Sequence, residues 1–217
     1  MTDTLIVFAR EPVRGSVKKR LANDIGDTGA LAVYKRLLER TLRLARGYCR
    51  RNSETRLVVC GHKLRSGARL SQFCANTGAS LQEQQGEDLG DRMLNALHRA
   101  RLEGSHRTVL IGTDCPSFTQ ADLRSAFAAL SDAPVVIAPT TDGGYSLVGV
   151  TGHYPALFEQ MPWGSDQVAI QTIERAQIDN IQVQRIREQA DIDYHQDWKY
   201  WQKGRAQISL AEHPWDQ

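Results

Sequence analysis

Apolar positions follow two alternating rhythms along the chain. Thr4–Ala9 is an unbroken apolar run rich in β-branched residues, which predicts a strand covered on both faces. Residues 10–24 carry Pro12 and Gly15 and read as a long loop. From Thr28 to about Arg50 the rhythm turns helical: Leu31, Tyr34, Leu38, Leu42, Ala45 and Tyr48 share one face, with Thr28 placed to cap it. Thr55–Cys60 predicts a second strand, 66–77 a helix and 79–82 a short strand. Leu89, Met93, Ala96, Leu97 and Ala100 mark a further amphipathic helix, and Arg107–Gly112 a third strong strand. Thr119–Leu130 predicts a helix in which Thr119 and Asp122 form a capping-box pattern. Val135–Pro139 and Tyr145–Val150 flank Asp142-Gly143-Gly144 as two strands. A helix over 165–176, a strand over 181–186 and a Trp-rich helix or turn near 195–202 follow. Strands alternating with helices predict an α/β fold, a mainly parallel sheet with helices on both faces.

Composition narrows the class without changing this picture. The 217 residues suit one domain, expected over 1–204 with a loose tail over 205–217. No apolar run has the ~18 residues of a membrane span, and acidic Asp3 precedes an apolar stretch too short for a signal peptide. Cys49, Cys60, Cys74 and Cys115 form no CxxC pair and read as free thiols in a reducing cytoplasm.

The net charge is +2, but it is unevenly spread. Residues 1–52 carry twelve Lys/Arg against five Asp/Glu, and the remainder is acidic. Arg36, Arg40, Arg43, Arg46, Arg50 and Arg51 fall on the expected wet face of the helix. Arg10, Arg14, Lys18, Lys19 and Arg20 instead cluster in the first loop, where cations and a glycine suit a di- or triphosphate. The acidic remainder offers no long basic stripe, which leaves an RNA-binding role a distant third and argues against a nucleic-acid partner.

In open α/β sheets, ligands bind beyond the carboxyl ends of the strands. Asp114, in Gly112-Thr-Asp-Cys-Pro116, follows a buried strand and is placed to hold a divalent ion, with Asp193 as a second carboxylate. Asp142, Gly143, Gly144 and Tyr145 form the third candidate segment, for which an ordinary turn is an equal alternative. Arg92 enters a helix from Gln85-Gly-Glu-Asp-Leu-Gly-Asp and is a candidate for the cleft or for a surface ion pair. The six histidines form no HxxxH or HExxH pattern, and GxSxG and GxxxxGK[ST] motifs are missing, which argues against a zinc hydrolase, a serine hydrolase and a P-loop enzyme.

The ordered segments FAREPVRGSVKKRLA, QGEDLGDRM, IGTDCPS, APTTDGGYSLVGV, MPWGSDQV and ADIDYHQDW resemble the bacterial DUF2064 proteins. These are also described as rSAM/selenodomain-associated transferases, a branch of the nucleotide-diphospho-sugar transferases. The resemblance runs from about Leu5 to Trp198 and implies a Rossmann-like GT-A fold. It implies that Arg10, Gly15, Lys18, Arg20, Arg92 and Thr113 lie against nucleotide phosphates. Asp114 would be the metal-binding aspartate and Asp193 a late second ligand for Mg²⁺ or Mn²⁺. Asp142, Gly143, Gly144, Tyr145 and Trp163 would border the sugar or acceptor. The chain departs from the family pattern at Lys19, at Gly164 and at Tyr194.

The resulting expectation is a cytoplasmic monomer or homodimer that transfers a group from a nucleotide-activated substrate to a small acceptor. Glycosyl transfer from an NDP-sugar leads, with Lys18 and Arg20 neutralising charge and Asp142 as candidate base. Nucleotidyl transfer from an NTP to a phosphorylated acceptor is the alternative, and a non-catalytic nucleotide-binding protein the second alternative.

Overall fold

The computed structural model describes residues 2–64 and 68–210. Seven strands form one sheet: β1 (Thr2–Arg10), β2 (Thr55–His62), β3 (Ser80–Glu83), β4 (Ser105–Ile111), β5 (Val135–Pro139), β6 (Tyr145–Val150) and β7 (Val183–Arg185). Their order is β3-β2-β1-β4-β6-β5-β7, and β6 alone runs antiparallel to its neighbours. The described residues also form six α-helices, of which α1 (Lys19–Arg51), α2 (Arg69–Thr77), α3 (Leu89–Leu102), α4 (Gln120–Asp132) and α5 (Val168–Ile178) flank the sheet and α6 (His195–Leu210) packs on α1. The fold is α/β, Rossmann-like and of the GT-A type.

Period-two alternation along β1 explains the layering. Leu5, Val7 and Ala9 pack with α1, α2 and α4 through Leu38, Leu70 and Leu123, whereas Ile6 and Phe8 pack with α3 and α5 through Met93, Leu97 and Ala176. A third cluster joins Leu21, Ala30, Val33 and Leu37 of α1 to Ile192 and to Trp198 of α6.

That third cluster corrects two sequence expectations. Helix begins at Lys19, inside the expected loop, and breaks at Gly26 (φ 71°, ψ 162°) before continuing through Thr28, which is therefore no N-terminal cap. Leu21 is wholly buried against α6, so tertiary packing stabilises a turn that the local sequence does not announce. Trp198 is buried and stacks on Trp201, with ring centroids 5.2 Å apart. Helix α6 extends to Leu210, into the segment expected to be a tail, and Trp215 lies outside the described residues. The expected wet face of α1 is also partly engaged: Arg40 Nε donates to the Pro116 carbonyl, and Arg36 lies over the Trp198 ring. The remaining elements stand near their expected places, with the helix expected over 165–176 at Val168–Ile178 and the strand expected over 181–186 shortened to Val183–Arg185. All four cysteines are free thiols, and Thr119 and Asp122 cap α4 reciprocally.

Asp122 also fixes the segment between β7 and α6. Arg187 donates from Nε to Asp122 Oδ1 (2.9 Å) and from Nη2 to Oδ2 (2.7 Å). Burial pushes the Asp122 carboxyl upward in pKa, but hydrogen bonds from Arg187 and Thr119 outweigh it and hold it below its usual range. A depressed folded-state pKa stabilises the fold above the unfolded value of about 3.9, and that contribution is lost as pH falls through the folded value. Because Arg187 is half exposed, Arg187→Met is expected to cost only about 1 kcal/mol at pH 7, a Tm decrease of roughly 2–4 °C. The gap between wild type and variant should close as thermal melts are taken down to pH 3; a gap independent of pH would show that the ion pair is not its source.

Candidate active site

Between β1 and β4 the strand order reverses: β1 leads leftward through β2 to β3, and β4 leads rightward through β6. Crevices form at such switch points beyond the carboxyl ends of the strands. Register places Val7 of β1 beside Ile111 of β4, so the segments that follow, Glu11–Lys18 and Gly112–Pro116, emerge side by side.

The first loop is held from beneath. Val17 is buried in the core, and the Glu11 carboxylate turns inward to accept from the Leu70 amide at the start of α2 (3.1 Å). The Tyr34 hydroxyl accepts from Arg10 N (2.8 Å) and donates to Arg10 O (2.9 Å), fixing the point where β1 ends. Burial, opposed by that backbone bond and by Thr113, raises the Tyr34 pKa to about 12. Lys18 then adopts a left-handed conformation (φ 48°, ψ 51°) at the entrance to α1.

This turn delivers the Lys18 ammonium to two carboxylates. Nζ lies 2.7 Å from Asp114 Oδ1 and 3.0 Å from Asp193 Oδ1, and the Lys18 side chain is only 4% exposed. Arg20 Nη1 donates to the other Asp193 oxygen at 3.0 Å, with its guanidinium 5.8 Å from the Tyr194 ring centroid. Burial alone lowers the Lys18 pKa, but Asp114 and Asp193 outweigh it and the net shift is upward. Asp193 is placed by its neighbours: Ile192 is buried in the third cluster and its amide donates to the Asp114 carbonyl (3.0 Å). Asp191 faces the same charge cluster. Burial, together with the negative charges of Asp142 and Asp193, pushes its carboxyl up to about 6, with Lys18 opposing.

Hard carboxylate oxygens converging on one cationic position suit Mg²⁺ or Mn²⁺, and Lys18 Nζ stands at that position as a substitute charge. Among the described residues no group of three or more His, Cys, Asp or Glu side chains is placed to hold an ion. Two carboxylates leave the remaining positions to water and substrate phosphate, the usual arrangement for Mg²⁺ with nucleotides.

The remaining predicted residues divide into two sets. Arg10 is exposed, and its charge, with those of Arg92 and Lys63, bears on His62, whose pKa falls through burial first and these cations second. These groups make a basic rim beyond β1 and β2. Arg92 is partly committed there: Nε donates to Gly86 O (3.1 Å) and Nη2 to Glu87 O (2.9 Å), closing the loop that precedes α3. Gly15 lies at the exposed tip of the first loop. Asp142 is exposed, and its Oδ1 accepts from Thr140 Oγ1 (2.5 Å) and Gly144 N (3.1 Å), so it builds the turn it stands in.

Other predicted residues turn inward. Thr113 is buried against Tyr34. The Tyr145 hydroxyl is enclosed near Thr172, and burial drives its pKa far upward. Trp163 packs edge-on to Tyr145, and its enclosed Nε1 has no partner among the described residues. Gly143 is pressed against the Asp166 backbone of this same chain. Cys115 is buried as a packing residue, and burial raises its pKa. Tyr34, His62 and Lys63 escape sequence reading. Tyr34 looks like one more core position of α1, while His62 and Lys63 acquire meaning only because register sets His62 beside Arg10.

A switch point in the sheet, two carboxylates and a cationic first loop suit a nucleotide-handling α/β class. Comparison gives the family: residues 44–165 match DUF2064, described as uncharacterized proteins conserved in bacteria, and the chain belongs to it. The matched span holds Asp114 and Asp142, while Lys18, Arg20 and Asp193 fall outside it. A crystal structure from Desulfovibrio desulfuricans G20, of a protein proposed to be a nucleotide-diphospho-sugar transferase, is 26% identical. It matches over 99% of this chain and 92% of its own with a TM-score of 0.85. An inositol-1-phosphate CTP transferase from T. maritima shares the fold at 14% identity, covering 90% of this chain and 91% of its own, with a TM-score of 0.57. A manganese complex of a Mycobacterium tuberculosis protein does so at 15% identity, covering 92% and 97%, with a TM-score of 0.51. No curated protein matches the chain. Among the described residues no helix is long and apolar enough to cross a membrane.

Proposed function

We propose that the protein is a divalent-metal-assisted transferase acting on a nucleotide-activated substrate, and that the group moved is a sugar passed from an NDP-sugar to a small acceptor. The observation that carries this reading is the meeting of Lys18, Asp114, Asp193 and Arg20 at the switch point of the sheet. The nucleotide-diphospho-sugar transferase assignment of the D. desulfuricans relative supports it, as does the manganese held by another protein of this fold.

In this reading Asp114 and Asp193 hold Mg²⁺ or Mn²⁺, which supplies charge neutralisation of the phosphate oxygens. Lys18 and Arg20 face the same phosphates and stabilise the negative charge that grows as the bond to the leaving group breaks. The basic rim of Arg10, His62, Lys63 and Arg92 extends the binding surface along the nucleotide. Tyr34 and Glu11 keep the backbone of the first loop in place, so only the side-chain ends of its cations have to move when substrate arrives.

One observation favours nucleotidyl transfer as a second reading. Asp142, the candidate base, already spends Oδ1 on two hydrogen bonds within its own turn. A phosphorylated acceptor attacks through an oxygen that is already ionised and needs no base.

The test has two stages. A thermal-shift screen of nucleoside diphosphates, triphosphates and NDP-sugars, with and without Mn²⁺, should show stabilisation when nucleotide and ion are both present. At a ligand concentration of about 100 Kd the gain is about 2.7 kcal/mol, a Tm increase of roughly 5–11 °C for a chain of this size. Product analysis of the best ligand then separates the readings: a released nucleoside diphosphate marks glycosyl transfer and pyrophosphate marks nucleotidyl transfer. No shift with any nucleotide would overturn both.

A further inference from the structure

The Lys18 ammonium stands where a divalent ion would have to go. It spans Asp114 Oδ1 and Asp193 Oδ1 at 2.7 and 3.0 Å, and Arg20 takes the second Asp193 oxygen. Both Asp193 oxygens are thus engaged, and an ion bridging the two aspartates at about 2.1 Å has to enter the space between them that the ammonium fills. An ammonium and a divalent ion cannot both occupy that space, and two positive centres this close repel strongly in a partly buried site. We infer that Lys18 is a built-in competitor for the metal: it neutralises Asp114 and Asp193 in the ion-free protein and must swing off them when the ion enters. The inference rests on the reading of those two aspartates as metal ligands.

The local structure suits such a movement. Lys18 is the residue before α1, and its carbonyl accepts from Ala22 N (2.9 Å), so its backbone stays anchored while rotation about the side-chain bonds moves the ammonium. A displaced ammonium needs a new anionic partner, and phosphate oxygens arriving with the ion provide one as a charge-assisted bond. The ion alone must displace Lys18 with no such compensation, whereas ion and polyphosphate together exchange one partner for another. The two ligands are therefore coupled: each raises the affinity for the other by the same factor. The device would keep the carboxylates satisfied in the resting protein and reserve tight metal binding for the loaded one.

Binding of Mn²⁺ alone, followed by the free-ion signal in electron paramagnetic resonance, tests this without any turnover. Lys18→Met keeps the buried stem and removes the charge, and it should bind Mn²⁺ about tenfold or more tightly than wild type. Lys18→Gln should do the same and serves if the Met variant does not fold. Lys19→Met makes the same change in net charge at an exposed neighbour, and should stay within about two-fold of wild type because solvent and salt screen it. Asp114→Asn and Asp193→Asn should lose binding. If both Asn variants lose Mn²⁺ but Lys18→Met and Lys18→Gln bind no more tightly than wild type, the competition is refuted and the metal reading stands. If the Asn variants bind like wild type, the metal reading itself fails and the competition with it.

Discussion

Replacing Asp114 with Asn is expected to lower the transfer rate by about 10³-fold while leaving the fold intact. In the proposed reading the rate effect follows from removing one of the two carboxylates that would hold the ion. Charge neutralisation by a bound metal contributes several kcal/mol to a transition state, and every 1.36 kcal/mol is a factor of ten. The fold should survive for three reasons. The Asp114 side chain is half exposed, its backbone carbonyl still receives the Ile192 amide, and Lys18 keeps Asp193 as partner. Melting within a few degrees of wild type, together with a collapsed rate, is the expected pair of results. The measurement is the initial rate of product release under saturating Mn²⁺ on the substrate found by the thermal-shift screen. Wild-type turnover in the Asn variant would remove Asp114 from the chemistry.

Local rules made some of this protein readable and tertiary packing hid the rest. Strands β5 and β6 stand where the apolar runs place them, because buried strands are short and bounded by turn residues. The α4 cap was equally plain, since Thr119 and Asp122 need only three residues of helix to find each other. The first turns of α1 were not legible: Pro12, Gly15 and Gly26 punctuate the stretch, and what stabilises helix there is Leu21 against α6, far away in sequence. Lys18 and Asp114 stood out because each follows an apolar run that had to be a buried strand, and the carboxyl ends of such strands share one edge of the sheet. Their direct contact was not legible, since it depends on a left-handed Lys18 and on Ile192 bringing Asp193 alongside. Tyr145 and Trp163 show a packing role that the sequence did not reveal: their partly buried rings meet edge-on and lie against the apolar cluster shared with α3 and α5.

Gly143→Ala should produce the largest loss of stability of any single methyl group added in the candidate loops. Gly143 has φ +86°, a region where an L side chain costs about 1–2 kcal/mol. A Cβ there would also lie 2.1 Å from the Asp166 carbonyl oxygen, against backbone that no side-chain rotation can clear. Moving that backbone disturbs the bond from Ala169 N to Gly143 O (2.9 Å), which ties the turn to the start of α5. Overpacking of this kind adds about 1–3 kcal/mol, giving a total near 3 kcal/mol and a Tm decrease of roughly 6–12 °C. Gly164→Ala is the matched control. It has nearly the same φ, +87°, but among the described residues no atom beyond its chain neighbours lies within 4 Å of the new methyl, so only the conformational cost of about 1–2 kcal/mol applies. Equal Tm decreases in the two variants would show that the approach to Asp166 does not limit the turn. The comparison also decides what the paired glycines are for. If the turn is shaped by this chain's own packing, nucleotide with Mn²⁺ will stabilise folded Gly143→Ala as much as it does wild type. If a bound sugar lies on the glycine, stabilisation by an NDP-sugar will weaken while that by the matching nucleoside diphosphate is unchanged.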